Sequence, residues 1–315
     1  MRPMSESGNL VGRTNRAVEA AAAVARELGI TVIEPRVLHD AFSVVVHLSP
    51  APLVARIPVV LPPGLERAEL IARQRRELGI VEWLAARGEP VVVPSPLVPV
   101  QPVVHEGFSM TFWTLVEIDA TVTPDYVASA GLAAALHATM REYPGELPFL
   151  WPVHATVPPG LAFLADHPEL IAAADLDRAR REWAALEPVL TSSESFAAAF
   201  PRGTVQPIHG DAPSYNLIHA TSGIRYADFE DVTLGPPEWD LALFGPAAAA
   251  TYDAEAARRS LRVLEPDVQR AMDTARALQV VASLALVPQL PLLATGLMPM
   301  LELWRASPPY LGVQE

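Results

Sequence analysis

The chain has 315 residues, half of them hydrophobic, and its 36 acidic against 23 basic side chains give a formal net charge of −13. That length permits about two domains with full-sized cores, and the acidic balance argues against a nucleic-acid backbone or an anionic membrane as main partner. Cys and Lys are both missing, which excludes disulfides, thiolate catalysis, Cys-ligated zinc, a P-loop lysine and Schiff-base chemistry.

Residues 1–10 lack the basic start and apolar run of a signal peptide, and 14–29 suit an amphipathic surface helix. β-rich runs follow at 31–33, 42–48 and 53–57, separated by polar and Pro residues, and Pro62-Pro63-Gly64 reads as a loop. Residues 66–87 carry a helical pattern, with Ile71, Leu78, Val81 and Leu84 near one face and Gly88 as the stop. Strand signal returns at 91–93, 99–104 and 110–118. The first 118 residues therefore predict a mainly antiparallel sheet with one principal helix.

Beyond Asp119 the character changes. Thr123-Pro124 opens a helix reaching about Met140. Residues 143–163 are Pro-rich and read as irregular, and helical patterns resume at 167–190 and 253–277. Residues 280–301 carry no charge and are long enough to span a bilayer. Pro288, Pro291, Pro299 and Gln289 would interrupt a spanning helix, so two short buried helices of a soluble, cytoplasmic protein are expected. The predicted organisation is a small lobe over 1–118, a larger helical lobe over 119–315, and a cleft near 118–120.

Most of the chemistry lies within 205–244. Strands at 217–219 and 224–227, joined by a turn centred on Ser222, would pair position 216 with 228 and set Asn216 opposite Asp228. Asp211 precedes Asn216 on a loop held by Pro213. Three oxygen-bearing side chains would thus converge. Phosphoryl transfer needs such a set: carboxylate and amide oxygens for Mg²⁺ beside phosphate oxygens, and a carboxylate for the acceptor's proton. On this reading Asp228 and Asn216 hold metal, and Asp211 orients and deprotonates a substrate hydroxyl.

His209-Gly210-Asp211 with Asn216, then Asp228-Phe229-Glu230, then Gly235-Pro236 and Trp239-Asp240-Leu241-Ala242 follow in that order. In these segments the chain resembles the aminoglycoside phosphotransferase (phosphotransferase enzyme) family of protein-kinase-like small-molecule kinases. The resemblance implies an α+β, two-lobed protein-kinase-like fold: a small antiparallel β-sheet N-lobe with one main helix, and a larger, mainly helical C-lobe. The N-lobe, 1–118, would bind nucleotide; the C-lobe, 119–315, would carry catalysis and the substrate. Implied cofactors are ATP (or GTP) and Mg²⁺, with Asp211 and Asn216 catalytic and Asn216 and Asp228 as metal ligands. Arg56 would stand where the family usually has Lys, with Glu77 as its helix partner, and the backbone of Val116 and Ile118 would meet adenine. Arg keeps the charge and can bind phosphate bidentately, but its planar fork differs from an ammonium. A Gly-rich loop over the phosphates is absent around residues 40–43.

The same residues have plainer readings. Glu77 can pair with Arg73 one helical turn away, and His137 suits a packing role. His209 suits a hydrogen bond to the loop backbone, and Asp240 a brace for the loop. The expected activity is transfer of a γ-phosphate to a hydroxyl of a small molecule, such as an aminoglycoside, an amino sugar or a related metabolite; an uncharged hydroxylated metabolite, a macrolide-like compound or a sugar is equally admissible. The acceptor would lie among residues 145–200, with Phe149, Leu150, Trp151 and Trp183, and the C-terminal helices. The absent Lys and Gly-rich loop leave a kinase-like binding protein with little turnover as the alternative. A metal-dependent hydrolase using His209, Asp211, His219 and Asp228 is a third reading, weakened because His219 lacks ligand-type spacing to the others.

Overall fold

The computed structural model describes residues 6–312, so the first half of the stretch read against a signal peptide lies outside the described residues. Helix α1 (Glu6–Glu27) leads into strands β1 (Val32–Asp40), β2 (Ser43–Pro50) and β3 (Leu53–Pro58). After α2 (Arg67–Ala86), strands β4 (Val103–His105) and β5 (Phe108–Thr114) complete an antiparallel sheet of order β1-β2-β3-β5-β4. Side chains alternate across the pleat. Leu53, Ala55 and Ile57 face the α1 side, where they bury with Ala17, Ala21 and Val24. Val54 faces the other side with Leu78 and Val81 of α2. The same period puts Arg56 on the α2 face, beneath the cleft.

The strands expected at 91–93 and 99–104 are reduced to isolated bridges at Val91 and Pro94 and to the three residues of β4. Pro94, Pro96, Pro99 and Pro102 each withdraw a backbone donor, which breaks the ladder. β5 ends at Thr114, and residues 115–118 form the connector to the helical part.

That part contains α3 (Tyr126–Met140), α4 (Trp151–Ala165), α5 (Ala173–Leu190), α6 (Ser193–Ala199), α7 (Gly245–Arg258), α8 (Pro266–Ala282) and α9 (Leu292–Ala306). The cap of α3 is Asp125, whose side chain accepts from Ala128 N at 2.9 Å, rather than Thr123. Helix α4 overturns the irregular reading of 143–163. It keeps Pro158 and Pro159 inside because Val153, Val157, Leu161 and Leu164 are buried in the largest core, a gain that outweighs two missing helical bonds. The single helical run expected at 253–277 is two helices, α8 starting at Pro266 with Glu265 capping it. Residues 280–301 end α8, form a 3-10 turn at Ser283–Leu286 and enter α9, which buries only Leu297, Leu301 and Trp304. Among the described residues no helix is long and apolar enough to cross a membrane.

Two small antiparallel pairs carry the motifs. β6 (Gln206–Ile208) pairs with β9 (Thr233–Gly235), and β7 (Leu217–Ala220) with β8 (Gly223–Tyr226). The β7–β8 turn has two residues, Thr221 and Ser222, so Ala220 pairs with Gly223 and Leu217 with Tyr226. This corrects the expected register by one residue. Asn216 lies opposite Ala227, whose N–H donates to Asn216 O at 2.9 Å.

Candidate active site

Asp228 follows this hairpin in the left-handed region, φ 63°, one residue past its last rung. A one-residue slip in a regular strand would turn the side chain to the opposite face, but the left-handed step takes Asp228 out of the ladder. It lands beside Arg56 of β3: Asp228 Oδ1 is 2.6 Å from Arg56 Nη2. Arg56 Nη1 donates to Glu77 Oε1 at 2.9 Å, and Nη2 lies 2.7 Å from Glu230 Oε2. One forked guanidinium therefore spans three carboxylates, a geometry no single ammonium reproduces. The Arg73 reading of Glu77 is corrected. Arg73 instead pairs with Asp231 Oδ1 at 2.5 Å and donates from Nε to Glu230 O at 3.0 Å.

The charges are crowded, with Glu77 closed off from water, Arg56 and Glu230 nearly so, and the Asp228 side chain 38% accessible. Burial pushes the Glu77 carboxyl up, against the pull of Arg56. Asp228 is likewise raised, to about 6, by burial, again opposed by Arg56 and reinforced by Glu230 and Asp211. For Glu230, burial is more than offset by Arg56 and Arg73, which hold it below the ordinary range. These are the perturbations expected where opposite charges converge in a cleft.

Asp211 sits on the loop after β6, between Gly210 and Pro213. Asn216 Nδ2 donates to Asp211 O at 2.5 Å and to Asp211 Oδ2 at 3.3 Å. The loop is tied down from below. Asp240, fully buried, accepts from His209 N at 2.9 Å and Gly210 N at 2.8 Å and contacts His137 Nε2 at 2.8 Å. His209 Nε2 bonds Ala227 O at 2.9 Å, linking the loop to the Asp228 segment. His209 and Asp240 thus hold the positions their structural readings give them. His137 is more than packing, being wired between Asp240 and Tyr252. Gly210 has φ 88°, and a Cβ there would sit 1.9 Å from Asp231 O. Only glycine admits that approach.

A cavity of about 410 Å³ opens between the sheet and the β7–β8 hairpin. Arg56, Glu77 and Asp228 form its inner end, and Val116 and Ile118 its outer edge, with Val54 and Ile218 among its apolar walls. Among the described residues, the N–H and C=O of Val116 make no hydrogen bond. A second cavity, of about 250 Å³, has Asp211, Ala212 and Tyr215 on the loop after β6 and is otherwise lined by residues 242–244, Ser283 and parts of α8 and α9. No residue of 145–200 lines this second cavity. Leu150 and Trp183 belong to the core and Phe149 packs against it, while Trp151 lies under Arg73 and donates to Glu69 Oε1 at 2.7 Å.

The donors suit a hard divalent cation. Asp228 Oδ1 is buried without a hydrogen-bond donor, Arg56 standing close but off the donor line. Asn216 spends its amide N–H groups on Asp211, which leaves its amide oxygen free. One carboxylate and one amide oxygen are few for a protein-only cage but fit a cation completed by phosphate oxygens and water. Among the described residues no cluster of three or more His, Asp or Glu could hold a metal.

Arg276 and Gln279 of α8, with Tyr215 and Phe244, complete the second cavity and were not singled out in the sequence. Their signal is weak, since an Arg on a helix surface looks like any solvated residue.

No curated protein matches the chain. Among solved structures, a microcompartment-associated aminopropanol kinase is 19% identical, covers 89% of this chain and 93% of its own, and superposes with a TM-score of 0.57. The GDP and kanamycin complex of APH(2")-IIia gives 15% identity, 92% and 99% coverage and a TM-score of 0.58. Choline kinase from Cryptosporidium parvum Iowa II gives 12%, 91% and 96%, and 0.54. These likenesses establish the two-lobed, protein-kinase-like fold. The phosphotransferase enzyme family model matches residues 42–278, three quarters of the chain, and every motif above falls inside that span. The chain therefore belongs to the phosphotransferase enzyme family and is a small-molecule kinase.

Proposed function

We propose that the protein transfers the γ-phosphate of ATP or GTP to a hydroxyl of a small molecule, with Mg²⁺, across a boundary between lobes 1–118 and 119–315. The observation that carries this reading is a pair of cavities, each with part of one charged group at its edge, in which the Asp211 carboxylate acts on Asp228. Arg56, Glu77 and Asp228 close the larger, and Asp211 borders the smaller. In this reading the nucleobase lies between Val54 and Ile218 and meets the unpaired backbone of Val116 and that of Ile118. Arg56, held by Glu77, grips the α- and β-phosphates.

Asp228 and Asn216 would hold Mg²⁺, which supplies charge neutralisation along the phosphates. Asp211 takes the acceptor hydroxyl's proton as that oxygen attacks the γ-phosphorus. The bond from the γ-phosphorus to the β–γ bridging oxygen breaks, and the nucleoside diphosphate leaves. Asp240, His209 and Trp239, whose indole donates to Gly210 O at 2.7 Å, keep Asp211 in place. The compartment we propose is the cytoplasm, where nucleoside triphosphates are available.

The test is a pair of readouts on Asp211→Asn. The variant should keep the Mg²⁺-dependent rise in melting temperature with nucleotide, because Asp211 borders the other cavity. Acceptor-dependent nucleotide consumption should fall by about 10²–10⁴-fold, the usual contribution of a positioned general base. Unchanged turnover would remove Asp211 from the mechanism and favour a binding protein without catalysis.

A further inference from the structure

Whether the acceptor is cationic is decided by what lines the pocket beside Asp211. Among the described residues lining it, Asp211 is the only carboxylate and Arg276 the only cation. Arg276 Nη1 stands 3.5 Å from Asp211 Oδ1 and donates to Gln279 Oε1 at 2.7 Å, and the guanidinium lies 3.9 Å above the Trp239 ring. It is held on three sides and is mostly buried, with 11% of its side chain accessible. The remaining walls are Leu243, Phe244, Tyr215, Val280 and Met300, with Gln279 and Ser283 as neutral polar groups. Asp273, the nearest further acid on α8, is turned away to cap Leu243 N at 2.8 Å and to accept from Gln269 at 2.8 Å.

A pocket built for a polycation needs surplus carboxylates. Here the one carboxylate has a guanidinium 3.5 Å from it, and that fixed cation lines the same cavity, so an entering ammonium group meets like charge. An anion fares no better, because the guanidinium is bonded to Gln279 and lies beside Asp211, which itself repels. The aromatic side chains do not form an ammonium cage either. Tyr215 and Phe244 lie against each other, centroids 4.7 Å apart and planes tilted by 34°, and Tyr126 touches Tyr215 with centroids 4.5 Å apart and planes tilted by 57°. Tyr215 and Phe244 touch each other on one side of the cavity, so although Tyr215 is 59% accessible they form a single apolar wall rather than rings set to face one another.

Resting on the kinase reading, we infer that the acceptor is an uncharged hydroxyl compound with an apolar or aromatic face, and not an aminoglycoside or amino alcohol. The hydroxyl reaches Asp211, and the apolar face lies against Tyr215, Phe244 and Met300. Arg276 sets this preference by excluding positive charge.

Matched pairs test it: a phenyl-substituted 1,2-diol against the amino alcohol with one hydroxyl replaced by an amine, and glucose against glucosamine. Each is titrated into the full chain with nucleotide and Mg²⁺, following melting temperature and nucleotide consumption. The neutral diol should bind at least tenfold tighter than its amine. Arg276→Gln should narrow that ratio and Arg276→Glu reverse it, the first variant serving if the second does not fold. Equal or tighter binding of the amine, or binding of no neutral probe while the nucleotide shift persists, overturns the acceptor class and leaves the kinase reading standing. Loss of the nucleotide shift itself overturns both.

Discussion

Asp228 shows how burial and partner charge set a single residue's behaviour. Its carboxyl is pushed up to about 6 by burial, in spite of Arg56, whereas an unfolded Asp titrates near 3.9. Between about pH 4 and 6 the folded chain therefore holds a proton that the unfolded chain has released. That contribution to stability falls as pH rises through the window. The proposed role of Asp228 at the metal runs the other way, because it needs the carboxylate. Apparent Mg²⁺ affinity, read from nucleotide-dependent melting shifts at pH 5, 6 and 7, should rise through about pH 6, and Asp228→Asn should flatten the profile. A pH-independent Mg²⁺ requirement would remove Asp228 from the metal site. The proximity of Asn216 to Asp211 was legible because both lie in one short run, whereas the contact of Asp228 with Arg56 forms in the fold. The hairpin register was misread because the turn was taken as three residues around Ser222. Arg276 was not legible, since it reaches Asp211 from 65 positions away and nothing in its own helix marks it.

At the scale of elements, the strands and α2 were legible from period and breakers, but α4 was not. Its Pro residues spoke for a loop, and only tertiary burial overrode them. The same packing makes a sharp prediction at Gly160, in the middle of α4. A Cβ there would lie 2.7 Å from the Ala282 Cβ and 2.8 Å from Ala282 O. Helix propensity alone would favour Gly160→Ala by about 1 kcal/mol. Overpacking against the end of α8 costs about 1–3 kcal/mol, and the backbone oxygen of Ala282 cannot rotate away as a side chain could. The clash should win. We expect a net loss of about 1 kcal/mol, measured by urea unfolding at constant slope. A stabilised variant would mean that α4 and α8 separate more easily than their buried faces suggest.

Across the whole molecule, the two lobes share more than a hinge. One buried cluster joins Val54, Leu78 and Trp113 on the sheet side to Leu136, Met140, Tyr226 and Phe229 on the helical side. Arg73 adds a polar rivet from α2 into the 229–231 turn, through Glu230 and Asp231. Lobes coupled by a shared core should unfold together, so calorimetry should give one transition with equal calorimetric and van't Hoff enthalpies. Arg73→Leu keeps apolar bulk but strands the Asp231 carboxylate, which is only 16% accessible. Removing one partner of such a pair costs about 3–5 kcal/mol. That loss falls at the joint rather than within either lobe, so the variant should show a broadened or split transition, with nucleotide plus Mg²⁺ restoring a single peak through binding to the joined state. Two resolved transitions in the unmodified chain would show that the shared cluster does not couple the lobes. A uniformly lowered single peak in Arg73→Leu would place the stabilising role of Arg73 within the fold as a whole and not at the joint.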